Sequence, residues 1–118
     1  MALRQSKGSL QPLHSACGRG DVGFVRTRLC NMNKSRLRTA LRQKDSEFGG
    51  TPLHWASLKG QVEVVQELIS FSDAILDLRD NRKAAPLHLA CDNGHVQVVQ
   101  ALIHAGADVN LPDGEGHT

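Results

Sequence analysis

Three runs along the chain repeat apolar residues on one helical face: Val22, Phe24, Val25 and Leu29; Val62, Val64, Val65, Leu68 and Ile69; Val96, Val98, Val99, Leu102 and Ile103. Steps of three and six or seven residues belong to an amphipathic helix rather than to a strand. A shorter segment precedes each run. These are Gln11-Pro12-Leu13-His14-Ser15-Ala16-Cys17-Gly18-Arg19-Gly20, Thr51-Pro52-Leu53-His54-Trp55-Ala56-Ser57-Leu58-Lys59-Gly60 and Ala85-Pro86-Leu87-His88-Leu89-Ala90-Cys91-Asp92-Asn93-Gly94. In the second of them Thr51 can cap a helix whose first residue is Pro52, where a missing N–H costs nothing. Gly60 then suits a left-handed stop. The pattern predicts helices near 11–19, 22–31, 52–59, 62–70, 86–93 and 96–105.

Neither helix of a unit can bury its apolar face alone, so the pair must fold back antiparallel and neighbouring units must stack. Polar connectors follow at Asp45 to Gly50, Asp80 to Ala84 and Asp113 to His117, and the prolines of the three Pro-Leu-His segments, Pro12, Pro52 and Pro86, are offset by 40 and 34 residues. With Thr51-Pro52-Leu53-His54-Trp55-Ala56 at its centre and a period near 33, the chain resembles the ankyrin repeat from about residue 9 to its end. Leu102-Ile103-His104-Ala105-Gly106-Ala107-Asp108-Val109-Asn110 and Asp113-Gly114-Glu115-Gly116-His117-Thr118 carry the same resemblance. It implies an all-α solenoid of stacked antiparallel helix pairs joined by β-turn-like connectors. The expected organisation is a tail (1–8), a first repeat with an extended basic connector (9–45), a second repeat (46–80), a third (81–112) and the start of a truncated fourth (113–118).

The repeats are not uniform. Gln11 and Ala85 stand where Thr51 caps its helix, and losing such a cap costs about 0.5–2 kcal/mol. Arg28 stands where the later helices have Leu68 and Leu102, which points to a solvent-facing helix in the first unit. The first connector is long, with twelve residues from Leu29 to Leu41 against six from Ile103 to Val109. The second unit has an extra residue around Ser70-Phe71-Ser72-Asp73. The last helix is as apolar as an internal one, and Val98, Val99, Leu102 and Ile103 are expected to face a further unit. The chain therefore reads as part of a longer array, or as one whose last face is covered by a partner or by self-association.

Composition agrees with an aliphatic helical core: 40% of residues are hydrophobic, but there are only three Phe, one Trp and no Tyr. No apolar run approaches the roughly 18 residues of a membrane span. Three cysteines with no C-x-x-C pair point to a reducing, intracellular setting, cytoplasmic or nuclear. The net charge of +2 hides a division. Residues 1–44 carry ten Lys/Arg against Asp21 alone, for +9, and residues 45–118 carry four against eleven acids, for −7. Arg26 to Lys44 holds seven cations and no acid. The simplest reading of that stretch is a mobile, solvated loop, although Leu37, Ala40 and Leu41 could form one apolar edge of a helical turn after Ser35.

The conspicuous chemical groups do not assemble into a reactive site. A His with a Cys three residues on occurs twice, at His14/Cys17 and His88/Cys91, and suggests zinc or a thiolate nucleophile. Stacked units lie about 8–10 Å apart, too far for one metal whose ligands all sit at roughly 2.0–2.3 Å. The second unit has Ser57 in place of Cys. The resemblance implies that the histidines hydrogen-bond adjacent turns. No G-x-G-x-x-G, P-loop, H-E-x-x-H or G-x-S-x-G is present. No catalytic residue, metal or cofactor is expected.

Function should therefore lie in a surface. The resemblance implies a non-catalytic protein–protein interaction module whose concave face binds another protein or peptide. Carried over by position, that face comprises Glu47, Phe48, Leu58, Lys59, Asn81, Arg82, Ala84, Asp92, Asn93, Gly114 and Glu115, with Phe48 as the best single anchor. The single Trp, Trp55, is either an anchor of this kind or a half-buried packing residue. The alternative class is electrostatic binding of nucleic acid or anionic lipid through residues 26–44. Asn110, in Ala107-Asp108-Val109-Asn110-Leu111, resembles the segment that asparaginyl hydroxylases modify in ankyrin repeats.

Overall fold

The computed structural model describes residues 12–45, 49–72 and 75–109. Among them it contains seven helices and no strand: α1 (Pro12–Arg19), α2 (Val22–Cys30), α3 (Lys34–Arg42), α4 (Pro52–Lys59), α5 (Val62–Phe71), α6 (Pro86–Asp92) and α7 (Val96–Ala105). Two-residue links join α1 to α2 and α4 to α5, and such short connections make antiparallel neighbours. Helices α1, α4 and α6 pack in succession to form one layer. A second layer is made by α2, α5 and α7 in the same order. The core lies between the layers and is aliphatic, with Val25, Leu29, Leu53, Val64, Val65, Leu68, Val98 and Leu102 all sealed from water.

Local chemistry sets the helix ends. The Thr51 side chain accepts the His54 N–H, and the His54 ring accepts the Thr51 N–H in return, a reciprocal cap at the start of α4. In α6 Ala85 has no side-chain acceptor, yet His88 Nδ1 still accepts the Ala85 N–H at 2.9 Å, so half of that cap survives. Gly20 and Gly60 follow the inner helices with φ of 79° and 75°, the left-handed conformation that glycine adopts without strain. Their missing Cβ also leaves room for a neighbour. The side chain of Gln61 lies over Gly20 and that of His95 over Gly60. Each then donates to a carbonyl of the preceding unit, Gln61 Nε2 to Gly18 O at 3.0 Å and His95 Nε2 to Leu58 O at 2.9 Å. The same stitch thus joins repeat one to two and repeat two to three.

Burial along the outer helices separates two rows. In α2, Val25 and Leu29 are buried while Phe24 (37% exposed) and Arg28 are in solvent, with the guanidinium 5.7 Å from the centre of the Phe24 ring. So α2 is solvent-facing on one row only. In α7 the burial is reversed. Val98 and Leu102 are buried against the preceding unit, and Ile103 (45%) and Val96 (63%) are exposed. This corrects the expectation that all four of Val98, Val99, Leu102 and Ile103 face outward. Helix α5, packed on both α2 and α7, buries Val64, Val65 and Leu68 alike.

The largest correction concerns the basic connector. Residues 34–42 are not a solvated loop but a full helix. Asn33 caps it, its side chain accepting the Arg36 N–H at 2.8 Å. Leu41 is 1% exposed, and Leu37 and Ala40 lie half-buried against the core, so the apolar edge is what folds the segment onto the domain. Twelve residues are enough for a helix of two turns, where the short connectors have room only for a turn.

Candidate partner-binding surface

Two connectors end in turns whose backbone is held by an aspartate. Asp80 accepts the N–H groups of Arg82 and Ala84 through Oδ1, both at 2.9 Å, while its own N–H donates to Ala84 O at 3.0 Å. Asp45 does the same one unit earlier, accepting from Gly49 N–H at 3.3 Å and Gly50 N–H at 3.1 Å and donating to Gly50 O at 3.0 Å. Both aspartates are buried. A buried carboxylate surrounded by N–H donors is stable there because the bonds replace its lost hydration. Lys83 occupies the left-handed position that Gly49 holds in the earlier turn, at φ 64° against 72°.

The turns are tied to the inner helices. Trp55 Nε1 donates to Asp45 Oδ2 at 2.6 Å, and the indole lies against Gly18 of α1 beside the Lys59 stem. Trp55 is therefore a half-buried strut between a turn and two inner helices. His14 Nε2 lies 2.7 Å from Gln43 O, and His54 Nε2 lies 2.8 Å from Ala84 O. The partners of His54 define its state: Nδ1 accepts the Thr51 N–H, so the neutral ring must carry its proton on Nε2 and donate to Ala84 O. Burial holds the pKa of His54 and of His14 below the ordinary value of 6.5, against opposing backbone bonds and the aspartates. Burial likewise pushes the Cys17 thiol up to about 12, which leaves it a packing group and not a nucleophile. Cys91 is exposed, and among the described residues no three His, Cys, Asp or Glu side chains form a metal-binding group.

A scan against family models matches residues 13–113 to ankyrin repeats in three copies. The chain belongs to the ankyrin-repeat family. Proteins of this family are generally protein–protein interaction modules and typically not enzymes. No helix among the described residues is long and apolar enough to cross a membrane.

On this ankyrin stack the positions expected to bind a partner divide into two rims. Asn81 and Arg82 are exposed at the second turn with Ala84 half-buried behind them, and the Asn81 side chain packs over Gly49 of the preceding turn. Leu58 is half-buried and Lys59 exposed at the C-terminal end of α4, and Asp92 and Asn93 are exposed at the equivalent end of α6. Eight residues of helix from Thr51 to Lys59 separate the rims by about 12 Å. Not every side chain is free: Asn93 Nδ2 donates to Leu89 O at 2.8 Å. Glu47, Phe48, Asn110, Gly114 and Glu115 lie outside the described residues. Sequence reasoning passed over the Asp45 and Asp80 turn anchors and the Gln61 and His95 stitches. The available signal for the stitches was a polar side chain of sufficient reach directly after the left-handed Gly60 and Gly94.

Proposed function

We propose that the chain binds another protein or peptide along the concave surface between these two rims. The contacts are Asn81, Arg82 and Ala84 on one side and Leu58, Lys59, Asp92 and Asn93 on the other. By repeat register, Glu47 and Phe48 extend the first rim towards the preceding unit, and Gly114 and Glu115 extend it towards the next. One observation carries the reading. The turn tips present exposed side chains on a backbone already locked by a buried aspartate, so binding them costs little ordering entropy. No chemistry is required of the surface, and its polar rims around inner-helix side chains have the make-up of a non-obligate interface.

The test is a pair of variants on a partner isolated from cells. Phe48→Ala and Arg82→Glu are expected to weaken it about tenfold or more, as hot-spot side chains do, with the melting temperature unchanged. Arg36→Glu/Arg38→Glu is expected to leave binding intact. If only the latter pair abolishes binding, the surface used is the basic segment and the concave reading fails.

A further inference from the structure

Helix α3 is charged in a way that its own fold does not satisfy. Lys34, Arg38 and Arg42 stand at i, i+4 and i+8, one row of cations about 6 Å apart along the helix. Like charges at that spacing destabilise a helix, and Lys34 in the first turn also opposes the helix dipole. Among the described residues the ion pairs are Arg19 with Asp21 and Arg26 with Glu67, so no described acid pairs with a cation of α3. Beside this row lies a cleft of about 260 Å³ between α3 and the C-terminal end of α5. Leu41 and Ile75 close its floor, and Leu37 and Phe71 stand half-buried at its walls.

We infer that this cleft binds an acidic amphipathic peptide segment of a partner protein, at a site separate from the concave surface. A bulky apolar side chain of the segment enters between Leu37 and Phe71, and carboxylates one helical turn apart pair with Lys34, Arg38 and Arg42. Three features favour this occupant. The cation spacing of about 6 Å equals the separation of i and i+4 residues on a facing helix. The volume lies below the roughly 300–1,000 Å³ of sites that enclose a small molecule, and suits single side chains. The apolar surface is recessed, so it receives a projecting group where a flat bilayer could not reach it. The walls offer one aromatic ring, Phe71, and α3 has none, whereas single-stranded nucleic acid is held by successive stacked bases. Leu58 and Lys59 lie at the other end of the α4/α5 pair from Phe71, because the two helices are antiparallel.

The test uses the full chain and a fluorescein-labelled 14-residue peptide of Glu and Leu in amphipathic helical order. Anisotropy titration should show saturable binding. Amide shift changes should concentrate in residues 34–42 and at Phe71, Ser72 and Ile75. Arg38→Glu/Arg42→Glu, confined to exposed cations, should weaken binding tenfold or more, and Lys59→Glu/Arg82→Glu should leave it within twofold. A control peptide with Ser for Leu should bind at least tenfold more weakly. The inference is overturned if the Ser peptide binds as well as the Leu peptide, or if the shifts map to the turn tips. It is equally overturned if phosphatidylserine vesicles or a 20-base-pair DNA duplex bind more tightly than the Leu peptide and displace it. The concave surface is tested separately, on a partner isolated from cells and with Phe48→Ala, which the peptide titration does not use.

Discussion

Helices α5 and α7 begin almost identically, Val62-Glu63-Val64-Val65-Gln66 and Val96-Gln97-Val98-Val99-Gln100, and both continue to a Leu-Ile pair. Yet Val65 is buried where Val99 is half-buried, and Ile69 is half-buried where Ile103 is exposed. The inward row does not differ, since Val64, Leu68, Val98 and Leu102 are all at 0%. The contrast shows that a repeat helix carries two apolar rows with separate neighbours. One row needs the unit before it, the other the unit after it. In α2 the row equivalent to Val64 and Leu68 holds Phe24 and Arg28, and the charge of Arg28 suits its exposure. In α7 the exposed position is the apolar Ile103.

Truncating a side chain in each row has the largest expected effect. Leu68→Ala and Leu102→Ala both open a sealed site in the same row and are each expected to cost about 2–5 kcal/mol. Ile103→Ala, at 45% exposure, is expected to cost less than about 1 kcal/mol. Urea denaturation of the three variants measures this, and equal losses at Leu102 and Ile103 would refute the two-row description.

A second contrast lies in the histidines of the middle repeat and its neighbour turn. His54 is neutral in the fold, its Nδ1 already an acceptor, and its pKa is depressed by burial. The unfolded chain therefore binds more protons than the folded one below the ordinary value of 6.5. Stability contributed by the neutral ring is present above that value and is lost as pH falls from it towards the lower folded pKa. The melting temperature should decline on acidification through this window. In His54→Gln the decline should be shallower, with the slope due to His14 remaining. An identical pH profile for the variant would show that His54 is not coupled to folding.

The smallest effect concerns one position across the three repeats. Cys17 and Ser57 are both fully buried, while Cys91 is exposed. Among the described residues the Ser57 hydroxyl has no hydrogen-bond partner, and an unsatisfied buried polar atom costs about 1–3 kcal/mol. Part of this returns as a small void when the oxygen is removed, so Ser57→Ala is expected to stabilise the chain by about 0.5–1 kcal/mol in thermal unfolding. Destabilisation would mean that the hydroxyl is bonded in solution.

The repeat itself was legible from residues 11–105 alone. Pro-Leu-His segments, left-handed glycines and apolar periodicity are local signals, and local signals specify helices and their caps. The six paired helices follow the predicted spans within two residues at each end. What the chain could not announce was which surfaces meet. Leu37, Ala40 and Leu41 had the spacing of a helix edge, but nine residues rich in like charge form α3 only because Leu41 finds a core to enter. Val98 and Val99 are adjacent in sequence and indistinguishable by composition, and only the stack separates buried from half-exposed. Trp55 likewise became a strut because Asp45, ten residues away, was folded under it. Periodicity is a property of one segment, whereas burial is a property of two, and the second partner comes into place only when the units pack.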